Sequence, residues 1–299
     1  MLMPTPTETW RPVTRDDASG LTQLQIDFGI TDEMLGYARD DYEQPHMEYD
    51  AESDTFLLIY NVPSDKPDTD GYLSEPMAFL VTDDRLITVG SHDVNNTNAA
   101  IAKTVARFGS ESVYSLLWQC LLAITDNFVT LVKQQDATRR QIATRLREHT
   151  TKKDLLKIAE LALSADFLVR ATIQNAAVLK QIHASTRVPG ITGTQGEQLE
   201  DVIIEADQIA EMMNLSSHTL DHLTDSYNTV LNNNLNDIMR FMTVWSILLT
   251  VPTIVSGFFG MNVPLPFAHE PLGWIITIII AAILWIALGL LLNRYIRKN

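Results

Sequence analysis

Short apolar runs bounded by turn-forming residues mark the first part of the chain. Residues 55–60 form an apolar run typical of a β-strand, and residues 77–81 and 85–89 predict a hairpin about positions 82–84. The intervening stretch 61–71 is rich in Pro, Asp and Ser and predicts a loop. The pattern therefore favours an antiparallel sheet in this region.

Helical spacing of apolar positions precedes these strands. Residues 21–28 and 32–38 have that spacing, and Thr31 or Asp32 is a suitable N-cap for the second helix. Helices followed by strands predict an α+β domain, which we expect to span residues 1–98.

Long helices dominate the middle of the chain. Residues 99–187 contain no proline and one glycine, with apolar residues at helical spacing, and predict two helices at about 111–149 and 152–187. Glycine and proline then mark a turn at 188–196. Neither residue occurs between 197 and 251, which predicts one helix from about 195 to 259, on the order of 100 Å long. We expect residues 99–240 to form a long α-helical stalk.

Two uncharged apolar stretches close the chain. Residues 241–259 and 273–292 are each long enough to cross a bilayer, and they predict a transmembrane hairpin within 241–299. The connection between them has no Lys or Arg, whereas bases flank the outer ends of the hairpin: Arg240, Arg294, Arg297 and Lys298. By the positive-inside rule, we expect a multi-pass protein of the cell (inner) membrane with both termini in the cytoplasm.

Charge is concentrated before residue 241. Of 37 acids only Glu270 lies beyond that point, so the preceding part is strongly acidic and no nucleic-acid partner is expected, since phosphates require a basic surface. Cys120 is the single cysteine, which excludes an intrachain disulfide and a Cys-type zinc site. The N-terminal residues resemble no signal peptide. Residues 1–98 contain no P-loop, GxGxxG or HExxH motif, and we expect a protein that is not an enzyme.

A polar seam follows the first span at alternating steps of three and four residues. A 3.5-residue repeat keeps one seam towards the axis of a helical bundle. Hydroxyl and amide groups in hydrocarbon need partners, which a water-filled axis supplies. Two other readings stay open, because small residues also line tight helix contacts and Ser or Thr can bond its own backbone. The seam consists of Asn236, Met239, Thr243, Ser246, Thr250, Thr253 and Gly257, and the same frame reaches Asp225.

The seam chemistry suits a hydrated divalent cation. Mg²⁺ dehydrates reluctantly and usually keeps several waters. Rings of neutral oxygens can hydrogen-bond that water shell without stripping it. The seam therefore predicts a pore. A ring of Asp225 would concentrate cations at its inner end, and a solvated acid on the face of the stalk is the other interpretation of this residue.

The tripeptide Gly260-Met261-Asn262 follows the first span directly. Together with the two-span C-terminus, the basic tail and the long preceding helix, it resembles the signature of the CorA family of divalent-cation channels. Residues 28–30 and 44–48 also resemble a helical stretch of that family's N-terminal domain. The resemblance implies a funnel-shaped homopentamer in the lipid bilayer that conducts Mg²⁺, often Co²⁺ and Ni²⁺, and contains no cofactor besides transported and regulatory Mg²⁺.

The resemblance also implies roles for individual residues. Gly260, Met261 and Asn262 would form the selectivity loop, in which Gly260 permits an unusual turn and Asn262 offers amide oxygens to the hydrated ion. The family often has a second methionine where this chain has Thr250, so the hydrophobic constriction would rest on Met239.

Feedback inhibition by cytoplasmic Mg²⁺ is a further implication of the resemblance. Asp201 matches the stalk acid of the family's inhibitory site between subunits. Its partner position is Tyr37, which is no comparable ligand, and Asp40 or Asp41 would have to substitute.

Two alternatives remain open. A Zn²⁺ transporter of the related ZntB type shares the Gly-Met-Asn motif, and His269 beside Glu270 would suit a softer metal. A membrane-anchored scaffold that conducts nothing belongs to another class, and it would not need a polar seam. Ion flux through the purified protein separates all three.

Overall fold

The fold contains five strands and seven helices within the residues that are described. The computed structural model describes residues 9–66, 74–82, 85–109, 111–146, 152–185, 188, 191, 193–261 and 273–296. Contacts divide the chain into two compact units, Met1–Asp225 and Ser226–Asn299, which we call unit 1 and unit 2.

A five-stranded sheet forms the centre of unit 1. Its strand order is β1-β5-β4-β3-β2, with β1 parallel to β5 and every other pair antiparallel. The predicted hairpin is confirmed, because Thr82 pairs with Arg85 at its closed end. The strands are β1 (Trp10–Thr14), β2 (His46–Asp50), β3 (Thr55–Pro63), β4 (Ser74–Thr82) and β5 (Arg85–Gly90).

Both faces of the sheet are covered, which explains why β3 and β4 are almost continuously apolar. One face, with Leu57 and Ile59 of β3, packs against helices α1 (Ala18–Phe28) and α2 (Asp32–Arg39). The other, with Phe56 and Leu58, packs against the later helices of unit 1. The two helices and their cap are confirmed, since Thr31 Oγ1 accepts a hydrogen bond from Met34 N at 3.2 Å.

Two sequence expectations in this region are wrong. Residues 44–48 resembled a helical stretch, but 46–48 belong to β2, where Glu48 pairs with Leu57. The loop expected from residue 61 starts later, because β3 continues to Pro63. Asn175 explains the extension, since its side chain accepts from Asn61 N at 2.9 Å and donates to Asn61 O at 2.8 Å, completing the strand.

The middle of the chain forms three helices where two were expected. The additional helix is α3 (Asn95–Phe108), which begins before residue 99 and ends at Gly109. The two predicted helices are confirmed as α4 (Val113–Leu146) and α5 (Lys152–Ala184). Helix α4 begins separately from α3, because Ser112 Oγ accepts a hydrogen bond from Ser115 N at 3.2 Å, as an N-cap does.

A single helix, α6, runs from unit 1 into unit 2. It spans Thr194–Phe259, 66 residues, and confirms the uninterrupted helix predicted from about 195 to 259. In unit 1 its buried residues join the core cluster through Leu199, Val202 and Met213. It contains Pro252 near its end, which removes one backbone donor from the helix.

The second predicted span is helix α7 (Gly273–Ile296). By length and composition alone, three described helices are able to cross a membrane, where two were expected: Val113–Arg145, Thr194–Phe259 and Trp274–Leu292. They differ in burial, which is 56% for the most apolar window of the first, 6% for the second and 0% for the third. The first is α4, whose apolar side chains form the core of unit 1.

Candidate functional site: the polar face of helix α6

The membrane-level part of α6 has two distinct faces. Five positions on one face are partly or fully shielded, and Leu248 among them contacts α7, where its Cδ2 lies 3.7 Å from the place a β-carbon on Gly289 would take. At about 3.6 residues per turn, the polar seam is centred about half a turn away from Leu248. The shielded positions are Val244, Leu248, Val251, Val255 and Phe259.

All seven seam residues are exposed within one chain, so α7 does not cover them. Ser, Thr and Gly in membrane helices often form tight contacts with a neighbouring helix. Within unit 2 the helix contact at Leu248 and Gly289 lies on the other face of α6. The polar face is therefore available to groups outside the chain.

The hydroxyl groups on this face all donate to the helix backbone. Thr243 Oγ1 donates to Met239 O at 2.8 Å, and Thr250 Oγ1 donates to Ser246 O at 2.8 Å. Ser246 and Thr253 make the equivalent bonds to residues 242 and 249 at 2.8 and 2.9 Å. This is the self-bonding that the sequence left open, and it satisfies each hydroxyl proton locally.

Such a hydroxyl keeps its acceptor capacity. Its proton is held by the backbone, so its lone pairs are directed away from that bond. A water bound to Mg²⁺ turns its oxygen to the metal and its protons outwards, and it therefore needs acceptors. The seam can act chemically as a column of neutral acceptors for a hydrated cation.

Apolar residues interrupt and flank the polar face. Met239 is 66% exposed and is the one large apolar side chain within the seam. Exposed aromatic and aliphatic side chains occupy the remaining surface of α6, as expected for a helix in contact with lipid: Phe241, Met242, Trp245, Leu249, Ile254 and Phe258.

The segment that follows α6 is described as far as Met261. Gly260 N donates to Ser256 O at 2.9 Å, so this glycine continues the helical hydrogen bonding, and its φ is not positive. The unusual turn expected at Gly260 belongs to a loop that continues outside the described residues, so it stays a prediction. A β-carbon at Gly260 would lie 3.1 Å from Ser256 O, so the position is tight. Asn262 lies outside the described residues.

The predicted regulatory acids lie on different elements of unit 1 within one chain. Asp201 is exposed on α6, which packs on the face that carries Phe56. Asp40 and Asp41 directly follow α2, which packs on the other face. Among the described residues, no three His, Cys, Asp or Glu side chains form a group able to hold a metal ion.

Asp40 and Asp41 differ as metal ligands. Asp41 forms an ion pair with Arg15, whose side chain is only 6% exposed and also donates to Pro76 O at 2.5 Å. Asp41 also lines a cavity of about 570 Å³ that contains Lys66 and Arg170. Asp40 accepts a hydrogen bond from Tyr42 N at 2.8 Å and is exposed. The buried guanidinium of Arg15 therefore already neutralises Asp41 and disfavours Mg²⁺ there, an obstacle that no sequence signal indicated.

Tyr37 stands in an acidic environment near the same loop. Its hydroxyl donates to Glu33 at 3.0 Å, and this bond, with the charges of Glu48 and Glu43, raises the pKa of Tyr37. Burial, followed by the charge of Glu33, raises the pKa of Glu48. Tyr37 therefore stays a neutral phenol, in line with the expectation that it is no ligand for a hard cation.

A soluble α+β unit, the long helix α6 with its exposed apolar end and the C-terminal apolar helix α7 define a class of membrane protein with a large folded domain. The family model of the CorA-like Mg²⁺ transporter protein matches residues 8–294. The chain belongs to this family, which comprises transporters and not enzymes. Family membership and the apolar helices support a location in a membrane.

Individual relatives agree with this assignment. The chain is 23% identical over 272 residues to the cobalt/magnesium transport protein CorA of Methanocaldococcus jannaschii, covering 89% of this chain and 84% of the relative. The complete structure of the CorA magnesium transporter from that organism is similar in fold, with a TM-score of 0.81 at 21% identity over 97% of this chain and 90% of the other.

More distant structures share the fold as well. Full-length CmaX matches with a TM-score of 0.69 at 14% identity, over 96% of this chain and 90% of that chain. The ZntB cytoplasmic domain from Vibrio parahaemolyticus matches with a TM-score of 0.61 at 12% identity, over 75% of this chain and 88% of that domain.

Proposed function

We propose that this protein is a Mg²⁺ channel, permeable also to Co²⁺ and Ni²⁺, in which the polar faces of α6 from several copies surround a central pore. The observation that carries the proposal is the seam of back-bonded hydroxyls on the face of α6 away from α7. A homopentamer is the assembly that the family resemblance implies, and it places five α6 helices around one axis.

Transport through this pore leaves the inner water shell of the ion in place. Each ring of Thr or Ser accepts hydrogen bonds from metal-bound waters, and no ring in the membrane-level seam has a formal charge. Full dehydration of Mg²⁺ is thereby avoided. Asp225, exposed at the inner end of the same frame, raises the local cation concentration.

Selection occurs at Gly260, Met261 and Asn262, where the amide oxygens of Asn262 bind the hydrated ion first. The tight contact at Gly260 supports this role, because any larger residue there must move the end of α6 on which the loop is built. Gly260→Ala and Asn262→Leu should therefore abolish Mg²⁺ uptake while the assembly, judged by size-exclusion chromatography, persists. Wild-type uptake by either assembled variant contradicts the assignment.

Met239 closes the pore as a hydrophobic constriction. An apolar ring among polar rings drives out water and thus blocks a hydrated ion. Met239→Ser should raise Mg²⁺ flux or make it independent of Mg²⁺ on the inner side, and Met242→Ser, at a neighbouring exposed methionine outside the seam, is the control. If Met239→Ser changes neither property, the constriction lies elsewhere.

Cytoplasmic Mg²⁺ closes the channel by bridging Asp201 of one copy to Asp40 of the next. We favour Asp40 over Asp41 because Arg15 already neutralises Asp41. Mg²⁺ should protect the soluble part from protease in the wild type and less in Asp201→Ala. Equal protection of both proteins by Mg²⁺ excludes Asp201 from the switch.

The protein lies in the inner membrane of the cell. Both termini lie in the cytoplasm, and the connection between α6 and α7 lies outside. The basic residues that flank the hairpin support this orientation. A thiol-reactive, membrane-impermeant label on a cysteine introduced at His269 should react from outside in intact cells.

A matched pair of serines gives the central test. Ser246 lies in the seam and Ser256 lies outside it, yet both hydroxyls are exposed and bonded to the α6 backbone, at 2.8 and 3.1 Å. In proteoliposomes, Ser246→Ala should lower Mg²⁺ flux severalfold and Ser256→Ala should not. A triple variant that also contains Thr250→Val and Thr253→Val should lose about tenfold or more, since hydrogen bonds to a charged complex are the strong ones.

The same assay distinguishes the other functions. Flux of Mg²⁺, Co²⁺, Ni²⁺ and Zn²⁺ is measured side by side with a fluorescent indicator for each ion. Preferred flux of Zn²⁺ identifies a zinc transporter, and absence of flux for all four ions identifies a scaffold. Equal flux through Ser246→Ala, Ser256→Ala and the wild type would show that the seam does not line the pathway.

A further inference from the structure

Two histidines share one face of α6 in unit 1. His218 and His222 are four residues apart, so their side chains lie one above the other on the helix, with β-carbons roughly 5–6 Å apart. Both side chains are exposed. At about 3.6 residues per turn, the buried residues Met213 and Leu220 lie on the opposite side of α6. The pair is therefore turned away from the core and is accessible from solution.

An acid follows each histidine at the same distance. Asp221 comes three residues after His218, and Asp225 comes three residues after His222, so the pattern His-x-x-Asp occurs twice in succession. Oδ2 of Asp221 lies 4.0 Å from Nδ1 of His218, and the two side chains are 69% and 67% exposed. A carboxylate beside one ring nitrogen favours the imidazole that presents its other nitrogen outwards, as the carboxylate partners of metal-bound histidines do.

The spacing of the two imidazoles suits chelation of a metal ion. In the helical motif HExxH, two histidines four residues apart bind one Zn²⁺ from the same face of a helix. Imidazole nitrogen is a ligand for Zn²⁺, Ni²⁺ and other transition metals, whereas Mg²⁺ is bound through oxygen. His218 and His222 therefore distinguish transition metals from Mg²⁺, which the oxygen groups of the polar seam do not.

One chain supplies part of the coordination sphere of such an ion. Within the described residues, no three His, Cys, Asp or Glu side chains form a group able to hold a metal. Two histidines leave at least two positions of a four-coordinate ion open to water. We propose that His218 and His222 together bind a transition-metal ion such as Ni²⁺ or Zn²⁺, with water in the remaining positions, and that Mg²⁺ does not occupy this site.

The pair also falls in the frame of the polar seam. Steps of three and then four residues back from Asp225 reach His222 and His218. Under the proposed function, on which this placement rests, the histidines of several copies surround the inner end of the pathway. A metal bound there adds positive charge and repels the next Mg²⁺, so Ni²⁺ on the cytoplasmic side should slow Mg²⁺ flux.

Titration calorimetry on the purified full-length protein in detergent, without a histidine tag, measures Ni²⁺ binding. Excess Mg²⁺ fills the sites that prefer oxygen. Ni²⁺ should bind to the wild type, and His218→Gln and His222→Gln should each weaken binding at least about tenfold, because a single imidazole cannot chelate. Asp221→Asn should weaken it about tenfold through the lost partner of His218.

A lone histidine provides the matched control. His183 is exposed on α5 and has no histidine four residues away, so His183→Gln should leave Ni²⁺ binding unchanged. All these substitutions are at exposed positions, and an unchanged melting temperature verifies that each variant is folded. Absence of Ni²⁺ binding in excess Mg²⁺ overturns the proposal, as does wild-type affinity in both His218→Gln and His222→Gln.

Flux in proteoliposomes tests the placement of the pair. Ni²⁺ on the cytoplasmic side should lower Mg²⁺ flux severalfold in the wild type and not in the double variant His218→Gln/His222→Gln. Equal inhibition of both proteins overturns the placement at the pathway. If the wild type conducts no ion, the proposed function fails and the placement with it, whereas calorimetry, which needs no transport, still confirms or refutes the metal site.

Discussion

Helices α4 and α6 are both apolar enough to cross a membrane, yet they differ in how much of their apolar surface the protein itself covers. In the most apolar window of α4, 56% of the residues are buried within the protein, compared with 6% in α6. Leu117, Trp118 and Leu121 of α4 are fully enclosed by the sheet and the neighbouring helices. Among the described residues of unit 2, the equivalent surface of α6 is covered only along the strip at Leu248.

The difference shows that apolar length alone does not identify a membrane span. When the apolar side chains of a helix pack against other residues of its own domain, the domain already shields them from water. The apolar window of α6 must obtain its surroundings from lipid or from further copies of the chain. Four predictions test this contrast, from the largest expected effect to the smallest.

Removal of a tryptophan should affect the two helices very differently. Trp118 on α4 is 0% exposed, so Trp118→Ala should lower the unfolding free energy of unit 1 by about 3–5 kcal/mol through the lost burial and the cavity. Trp245 on α6 is 47% exposed, and Trp245→Ala should leave unit 1 unchanged. Hydrogen exchange of β3 and β4 amides in the full chain measures both effects.

Trp118→Phe is the control for cavity size. The indole Nε1 of Trp118 is buried without a partner among the described residues, so phenylalanine removes an unsatisfied donor and leaves a smaller void. It should cost clearly less than alanine. If the β3 amides are equally well protected from hydrogen exchange in Trp118→Ala and in Trp245→Ala, α4 does not depend on the protein core.

Two threonines with the same local bond provide the next contrast. Thr125 on α4 donates to Leu121 O at 2.9 Å and also hydrogen-bonds the side chain of buried Tyr60. Thr125→Val leaves the Tyr60 hydroxyl without its partner and should cost about 1–3 kcal/mol. Thr250→Val in α6 should not change stability, but under the proposed function it lowers Mg²⁺ flux. A reversal of these two effects, measured by hydrogen exchange and flux, would contradict the contrast.

Contact with lipid can be measured directly. A photoactivatable carbene reagent dissolved in the bilayer should label α7 and the apolar part of α6 about tenfold more strongly than α4, because only exposed side chains meet the acyl chains. Mass spectrometry of proteoliposome digests locates the label. As the control, a water-soluble carbene reagent labels the same proteoliposomes from the aqueous phase. Comparable labelling of α4 by the reagent in the lipid phase would refute the burial of α4.

Local sequence patterns were sufficient where one element determines its own structure. The uninterrupted run to residue 259 predicted α6 within one residue at each end, because neither glycine nor proline occurs between 197 and 251. The strand β2 could not be predicted in this way. Residues 46–50 alternate polar and apolar side chains over only five half-buried positions, and they become a strand because β3 supplies their hydrogen-bond partners. The same applies to Asn61, whose strand conformation depends on Asn175, 114 residues further on.

The candidate site shows the same division. Periodicity predicted the polar face of α6, since a seam is a property of one helix. The pairing of Asp41 with Arg15 was not predictable, because these residues meet only when β1 and the end of α2 are brought together by the fold.

The smallest effect is expected at the contact between the two membrane helices. A β-carbon on Gly289 would lie 3.7 Å from Leu248 Cδ2, an ordinary van der Waals distance, and no atom of the described residues lies within 4 Å of the corresponding position on Gly257. Gly289→Ala should therefore fit, and the better helix propensity of alanine should change stability by no more than about 1 kcal/mol.

Gly257 belongs to the polar face, where further copies converge under the proposed function. Gly257→Ala should reduce Mg²⁺ flux although the single chain has room for the methyl group. Thermal melting and flux of both variants are compared with the wild type. If Gly289→Ala disrupts the protein and Gly257→Ala is neutral in flux, the small residues of α6 serve helix packing and not the pore.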